Sequence, residues 1–246
     1  MATAVQVEGS KPVFVWPVDP SRIEETVTFR TLITTFETGR EQRRSKGLPR
    51  RQWKVRIRRD QETAAQVWQF YLERRGPVEA FLWVHPVTGE TVQVRFAEKL
   101  SRQAFWNRVF NIGIEFIEDK PGGLLPIGTV SSEKAVFDVP CDRSQIDEEL
   151  ISNAIISDFD VGPEHRRERG SIRRRWTLRF RKGQVDAETI WNFYVARKGS
   201  FESFLWTNPL DGRTYTVRFE QDNLTRTVLW RAVYETGLSL IEVVDE

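Results

Sequence analysis

The chain writes one sixteen-residue pattern twice: FLWVHPVTGETVQVRF begins at Phe81 and FLWTNPLDGRTYTVRF at Phe204, 123 residues later. The register holds far outside that stretch. Lys11 to Phe96 lies on Lys134 to Phe219 without a gap, and 37 of the 86 aligned pairs are identical, among them Phe14/Phe137, Phe36/Phe159, Trp53/Trp176, Trp68/Trp191 and Gly76/Gly199. Beyond Phe96 the second copy carries one extra residue, and Leu100/Leu224, Trp106/Trp230, Gly113/Gly237 and Glu118/Glu242 match at a spacing of 124. Solenoid repeats run to a few tens of residues, so a period this long indicates tandem duplication of a whole folded unit. The expected division is a first module at 1–120, a linker at 121–133 rich in Pro, Gly and Ser, and a second module at 134–246.

Within one unit the hydrophobic pattern changes period. WKVRIRR (53–59) and WTLRFRK (176–182) alternate apolar with mostly basic residues, which predicts strands with one buried face. Next, Ala64, Val67, Trp68, Tyr71 and Leu72 recur at helical spacing up to Gly76, as do Ala187, Ile190, Trp191 and Tyr194 up to Gly199. Short aromatic segments at 81–84 and 204–207 lead through Pro and a TG or DG turn into strands at 91–96 and 214–219. The segments from Phe105 and Leu229 onward read as long edge or closing strands. The fold class is therefore α+β, mainly antiparallel β: two tandem β-sandwich or barrel modules, each with one packed helix.

Signatures of enzyme chemistry are missing. His85 and His165 align with Asn208 and Gln42, which reads as loop polarity. The sequence has no metal-ligand, nucleophile-elbow or phosphate-loop motif, so a non-enzymatic protein without cofactor or metal is expected. Glu25/Glu148, Glu41/Glu164 and Glu79/Glu202 recur in both units and suit solvated faces or ion pairs. The paired tryptophans fall on predicted core faces, and Cys141, aligned with Val18, reads as a small buried residue.

No apolar run approaches the roughly 20 residues of a membrane span, and the N-terminus lacks the pattern of a secretory signal, so a cytoplasmically made, membrane-free protein is expected. Divided after Gly123, the chain carries 20 Lys+Arg against 15 Asp+Glu in its first half and 17 against 20 in its second. Opposite signs suit units that sit side by side or that face different neighbours. The conspicuous basic clusters are GREQRRSKGLPRR and GPEHRRERGSIRRR, Gly-containing loops with Arg43, Arg44, Arg50 and Arg51 in one and Arg166, Arg167, Arg173 and Arg174 in the other. Such clusters grip phosphates in nucleic-acid-binding proteins. Here Glu41, Glu164 and Glu168 are interspersed, and protein interface contact is the preferred reading.

One family arranges these pieces in the same order. Phe36, Gly39, Gln42, Arg43, Gly76, Phe81, Leu82, Trp83 and Pro86, repeated as Phe159, Gly162, His165, Arg166, Gly199, Phe204, Leu205, Trp206 and Pro209, resemble the minor tail protein M family of lambda-like long-tailed phages, the distal tail proteins. The resemblance implies a tail-tube fold and a structural role at the virion tail tip. It implies a ring that joins the tail tube protein to the tip hub proteins, with DNA only as cargo through its lumen. That family has one module per chain. Two modules here suit a ring of three chains and six modules, preferred over six chains in two layers.

Overall fold

The computed structural model describes residues 11–36, 41–97, 100–106, 109–119, 134–151, 154–157, 165–168, 172–230 and 232–243; the expected linker lies outside them. In the N-terminal half the strands are β1 (Val13–Phe14), β2 (Glu24–Thr28), β3 (Thr31–Thr35), β4 (Glu41–Ser45), β5 (Arg50–Asp60), then helix α1 (Gln61–Glu73), β6 (Phe81–Val84), β7 (Thr91–Phe96), β8 (Ser101–Trp106) and β9 (Val109–Glu118). The C-terminal half supplies β10 (Val136–Phe137), β11 (Ile146–Ile151), β12 (Ala154–Ser157), β13 (His165–Glu168), β14 (Arg173–Gly183), α2 (Gln184–Ala196), β15 (Phe204–Thr207), β16 (Thr214–Phe219), β17 (Asn223–Trp230) and β18 (Val233–Glu242). Every element of the first half has a counterpart in the second, in the same order.

Local chemistry explains the main elements. In β5, Trp53, Val55 and Ile57 are buried while Lys54 and Arg58 are exposed, the period of two that one covered face imposes. Asp60 then caps α1, its carboxylate accepting from the Thr63 N–H at 2.9 Å. Both helices end in left-handed residues, Arg75–Gly76 and Lys198–Gly199, and Gly89 and Gly212 supply the positive φ of the predicted hairpin turns.

β9 organises its half. β5 runs along one edge, while β8 pairs with its first part and β7 with residues 116–118 along the other. The sheet therefore splits into two layers, β2-β5-β9-β8 and β9-β7-β6-β1, and β18 does the same for β14, β17 and β16. Phe14, Phe70, Phe81, Phe96 and Phe116 pack between the layers at ring separations of 4.7 to 6.4 Å. Phe137, Phe193, Phe204 and Phe219 do so in the other half. The fold is α+β and mainly antiparallel, as the sequence predicts.

Several expectations need correction or refinement. The closing segments are not edges, because β9 and β18 are each paired on both sides. β1 and β10 pair parallel with β6 and β15 in an otherwise antiparallel framework, since the chain returns to the same layer only after crossing the sandwich. Leu72, predicted on the core face of α1, is 55% exposed, and Phe70 is buried in that turn instead. His85 is buried rather than superficial: its Nδ1 accepts from the N–H groups of Val87 and Thr88, organising the turn as Asn208 does for Leu210 in the other half. Cys141 is half-buried, and burial pushes its thiol pKa up.

Candidate assembly interface

The two halves share one sheet. β2 pairs antiparallel with β5 of its own half and, on its other edge, with β17 of the other half, from Thr28 opposite Asn223 to Glu24 opposite Thr227. The resulting wall runs β8-β9-β5-β2-β17-β18-β14-β11. Beyond the strands, the N–H of Phe29 donates to Asp222 O at 2.7 Å and that of Val228 to Ile23 O at 2.9 Å. The Thr26 and Thr225 hydroxyls meet at 3.0 Å.

Side chains cross this seam into each other's cores. Val27 and Phe29 belong to the hydrophobic cluster of the C-terminal half, together with Leu224, Trp191 and Val195. Ala187, Val228 and Tyr234 belong to that of the N-terminal half. Between them lies a buried ion pair: Arg226 donates to Glu25 from Nη2 at 2.7 Å and Nε at 2.9 Å, its guanidinium stacked 4.4 Å over Trp191. A buried pair of this kind does little for net stability but punishes any partner that leaves one charge alone, so it fixes who pairs with whom.

The predicted arginine clusters behave differently from one another. Arg43 lies on β4, not in a loop. Its guanidinium donates to Ser200 O in the other half at 2.6 Å and pairs with Glu41 at 2.8 Å. Arg173 reaches the same Glu41 at 2.8 Å from the opposite half. Burial works against the Glu41 carboxylate's charge, but hydrogen bonds from the two arginines outweigh it and hold its pKa below the usual range. Asp222 completes this clasp, accepting from Thr31 N–H and from the Ser200 hydroxyl.

Arg51 is buried against Glu118 and Glu90. Arg174 pairs with Glu148 at 3.1 Å and stacks over Tyr215. Arg44 and Arg50 are exposed. Arg166 and Arg167 sit on β13, paired with β12, and their side chains lie outside the description. The signature residues do not gather at the seam. Phe81, Trp83, Phe204 and Trp206 are buried in the two cores, Leu82 and Leu205 are half-buried beside β1 and β10, and Pro86 and Pro209 open the turns that follow.

Sequence reasoning paired Glu25 with Glu148 but missed their importance, and it missed Arg226 altogether. The signal was present: LTR at 224–226 aligns with LSR at 100–102, so an Arg recurs beside each matched Leu.

Elsewhere on the wall, a groove of about 1030 Å³ is lined by residues including Glu24, Gln52, Lys54, Ser101, Glu115 and Thr227. Both of its carboxylates are engaged, Glu24 with Lys54 at 3.0 Å and Glu115 with the Gln52 amide. No group of three His, Cys, Asp or Glu side chains among the described residues could hold a metal ion.

The halves share one sheet, and among the described residues β8 and β11 are each paired on one side only. Residues 12–119, the first of the two repeated units, match the family model described as phage minor tail protein. No curated protein matches the chain. The match points to a structural protein of the phage tail, carried in the virion and working alongside other tail proteins.

Proposed function

We propose that the chain is a distal tail component, a ring at the tail tip that continues the tube and connects it to the tip hub. The halves act as two copies of one module, 1–120 and 134–246, tethered by 121–133. The observation that carries this reading is the β2–β17 seam. It joins the halves side by side in one wall and leaves a complementary pair of open edges at the wall's two ends, the head-to-tail geometry that closes into rings. Three chains then supply six modules around the axis, with the wall's polar face toward a lumen that passes DNA. The arginines act within the assembly rather than on nucleic acid, since Arg43, Arg51, Arg173 and Arg174 are engaged by carboxylates.

Electron microscopy of virions with gold-conjugated antibody against the chain tests the placement. Label confined to the distal end of the tail is expected. Label spread along the tube, or found only at the head-proximal end, would overturn it.

A further inference from the structure

We infer that β11 of one chain pairs antiparallel with β8 of a second copy, in the register of the β2–β17 seam, and that Arg102 of the second copy takes Glu148 as its ion-pair partner. This deepens the ring reading above and rests on it only for the number of copies.

The inference comes from comparing each open edge with its mated counterpart. β11 corresponds to β2 and β8 to β17, so the seam within the chain is the template for a seam between chains. Superposing the registers sets Leu150 opposite Leu100, Glu149 opposite Ser101, Glu148 opposite Arg102 and Asp147 opposite Gln103. What is buried in the template is uncovered at the edges: Val27 is 0% exposed and Leu150 69%, while Glu25 and Arg226 are buried and Glu148 and Arg102 are exposed. On the neighbouring helices Val195 is buried and its counterpart Leu72 is not.

The edge of the first half is already set for its partner. Arg102 stacks 4.8 Å over Trp68, as Arg226 stacks 4.4 Å over Trp191, yet among the described residues it has no carboxylate. Glu148 currently holds Arg174. In the template the residue matching Arg174 is Arg51, which is held by Glu118 and Glu90 and leaves Glu25 to Arg226. The residue matching Glu118 is Glu242, 4.0 Å from Arg174. Arg174 thus has a carboxylate to keep when Glu148 turns to the neighbouring chain.

Charge selects the occupant. β11 reads Ile-Asp-Glu-Glu-Leu-Ile, and a β11–β11 pairing would oppose acidic strands, whereas β8 carries Arg102 in a half with an excess of basic residues. Charges on an open edge suppress indiscriminate pairing and leave only the complementary edge acceptable.

Cysteine pairs in the full chain, with Cys141→Ser, test the register. Ser101→Cys with Glu149→Cys should form disulfides between chains under mild oxidation, in a ladder that ends at a closed species. Thr26→Cys with Thr225→Cys, the matched positions of the internal seam, should close within one chain. An oligomer that forms but never cross-links through 101 and 149 would overturn the pairing while leaving a ring intact. Cross-linking that runs past three chains would uphold the pairing and overturn the three-chain ring.

Charge reversal gives an independent readout by sedimentation. Arg102→Glu and Glu148→Arg should each weaken association at least tenfold, and the two together should restore it. Failure of the double variant to recover, with Glu25 and Arg226 untouched and the chain still folded, would also overturn the pairing.

Discussion

Glu25 and Glu148 hold the same position in the two halves, yet one is sealed against Arg226 beneath Trp191 and the other stands exposed at the end of the sheet. The two glutamates and their strands correspond in place, but β17 lies along β2, whereas among the described residues no strand lies along the matching edge of β11. Burial at this position is therefore a property of assembly rather than of the local sequence. The hydrophobic residues follow the same rule, since Val27 lies in the other half's core and Leu150 is exposed.

That contrast can be broken most forcefully at the buried ion pair. Arg226→Ala leaves Glu25 buried without its partner and should cost about 3–5 kcal/mol in urea unfolding. Arg102→Ala on the isolated chain should change stability by less than about 0.5 kcal/mol, as expected of an exposed position. Equal losses at the two sites would show that the mated and open edges are not distinguished as described.

Next in size is the apolar contact. Val27→Ala empties a filled site and should cost about 2 kcal/mol, the lost methyl burial plus a small cavity. Leu150→Ala should leave the isolated chain's unfolding midpoint unchanged while lowering its tendency to associate, measured by sedimentation.

A smaller effect comes from the turns. Burial holds His85 below its ordinary value of 6.5, so the unfolded chain takes up the proton first as pH falls. The stability that depends on neutral His85 is complete above about pH 6.5 and declines below it, by at most about 1.4 kcal/mol per pH unit. His85→Asn, which copies the Asn208 turn of the other half, should remove that part of the decline in urea titrations at pH 5 and pH 7. An unchanged pH profile would show that His85 does not report its burial.

The parts of the fold that were legible in the sequence are those each half builds for itself. β5 and β14 alternate, α1 and α2 show helical spacing, and the Gly89 and Gly212 turns are flanked by short apolar strands, all from local periodicity. β2 and β11 were not legible. EETVT and IDEELI lack a continuous apolar face because what covers β2 comes from 200 residues away. The same reason hid the seam: Arg226 is one more arginine in a β strand until β2 brings Glu25 to it. Leu72 failed as a core residue for a related cause, since its helical phase is right for a surface that only the second half has covered, where Val195 lies.

Native mass spectrometry of the purified assembly tests the central claim most directly, that the seam within the chain repeats between chains until a ring closes. The account predicts a species of three copies of the 28.8 kDa chain. A lone monomer under conditions where the chain is folded would contradict it, and a closed species of six chains would contradict closure at three.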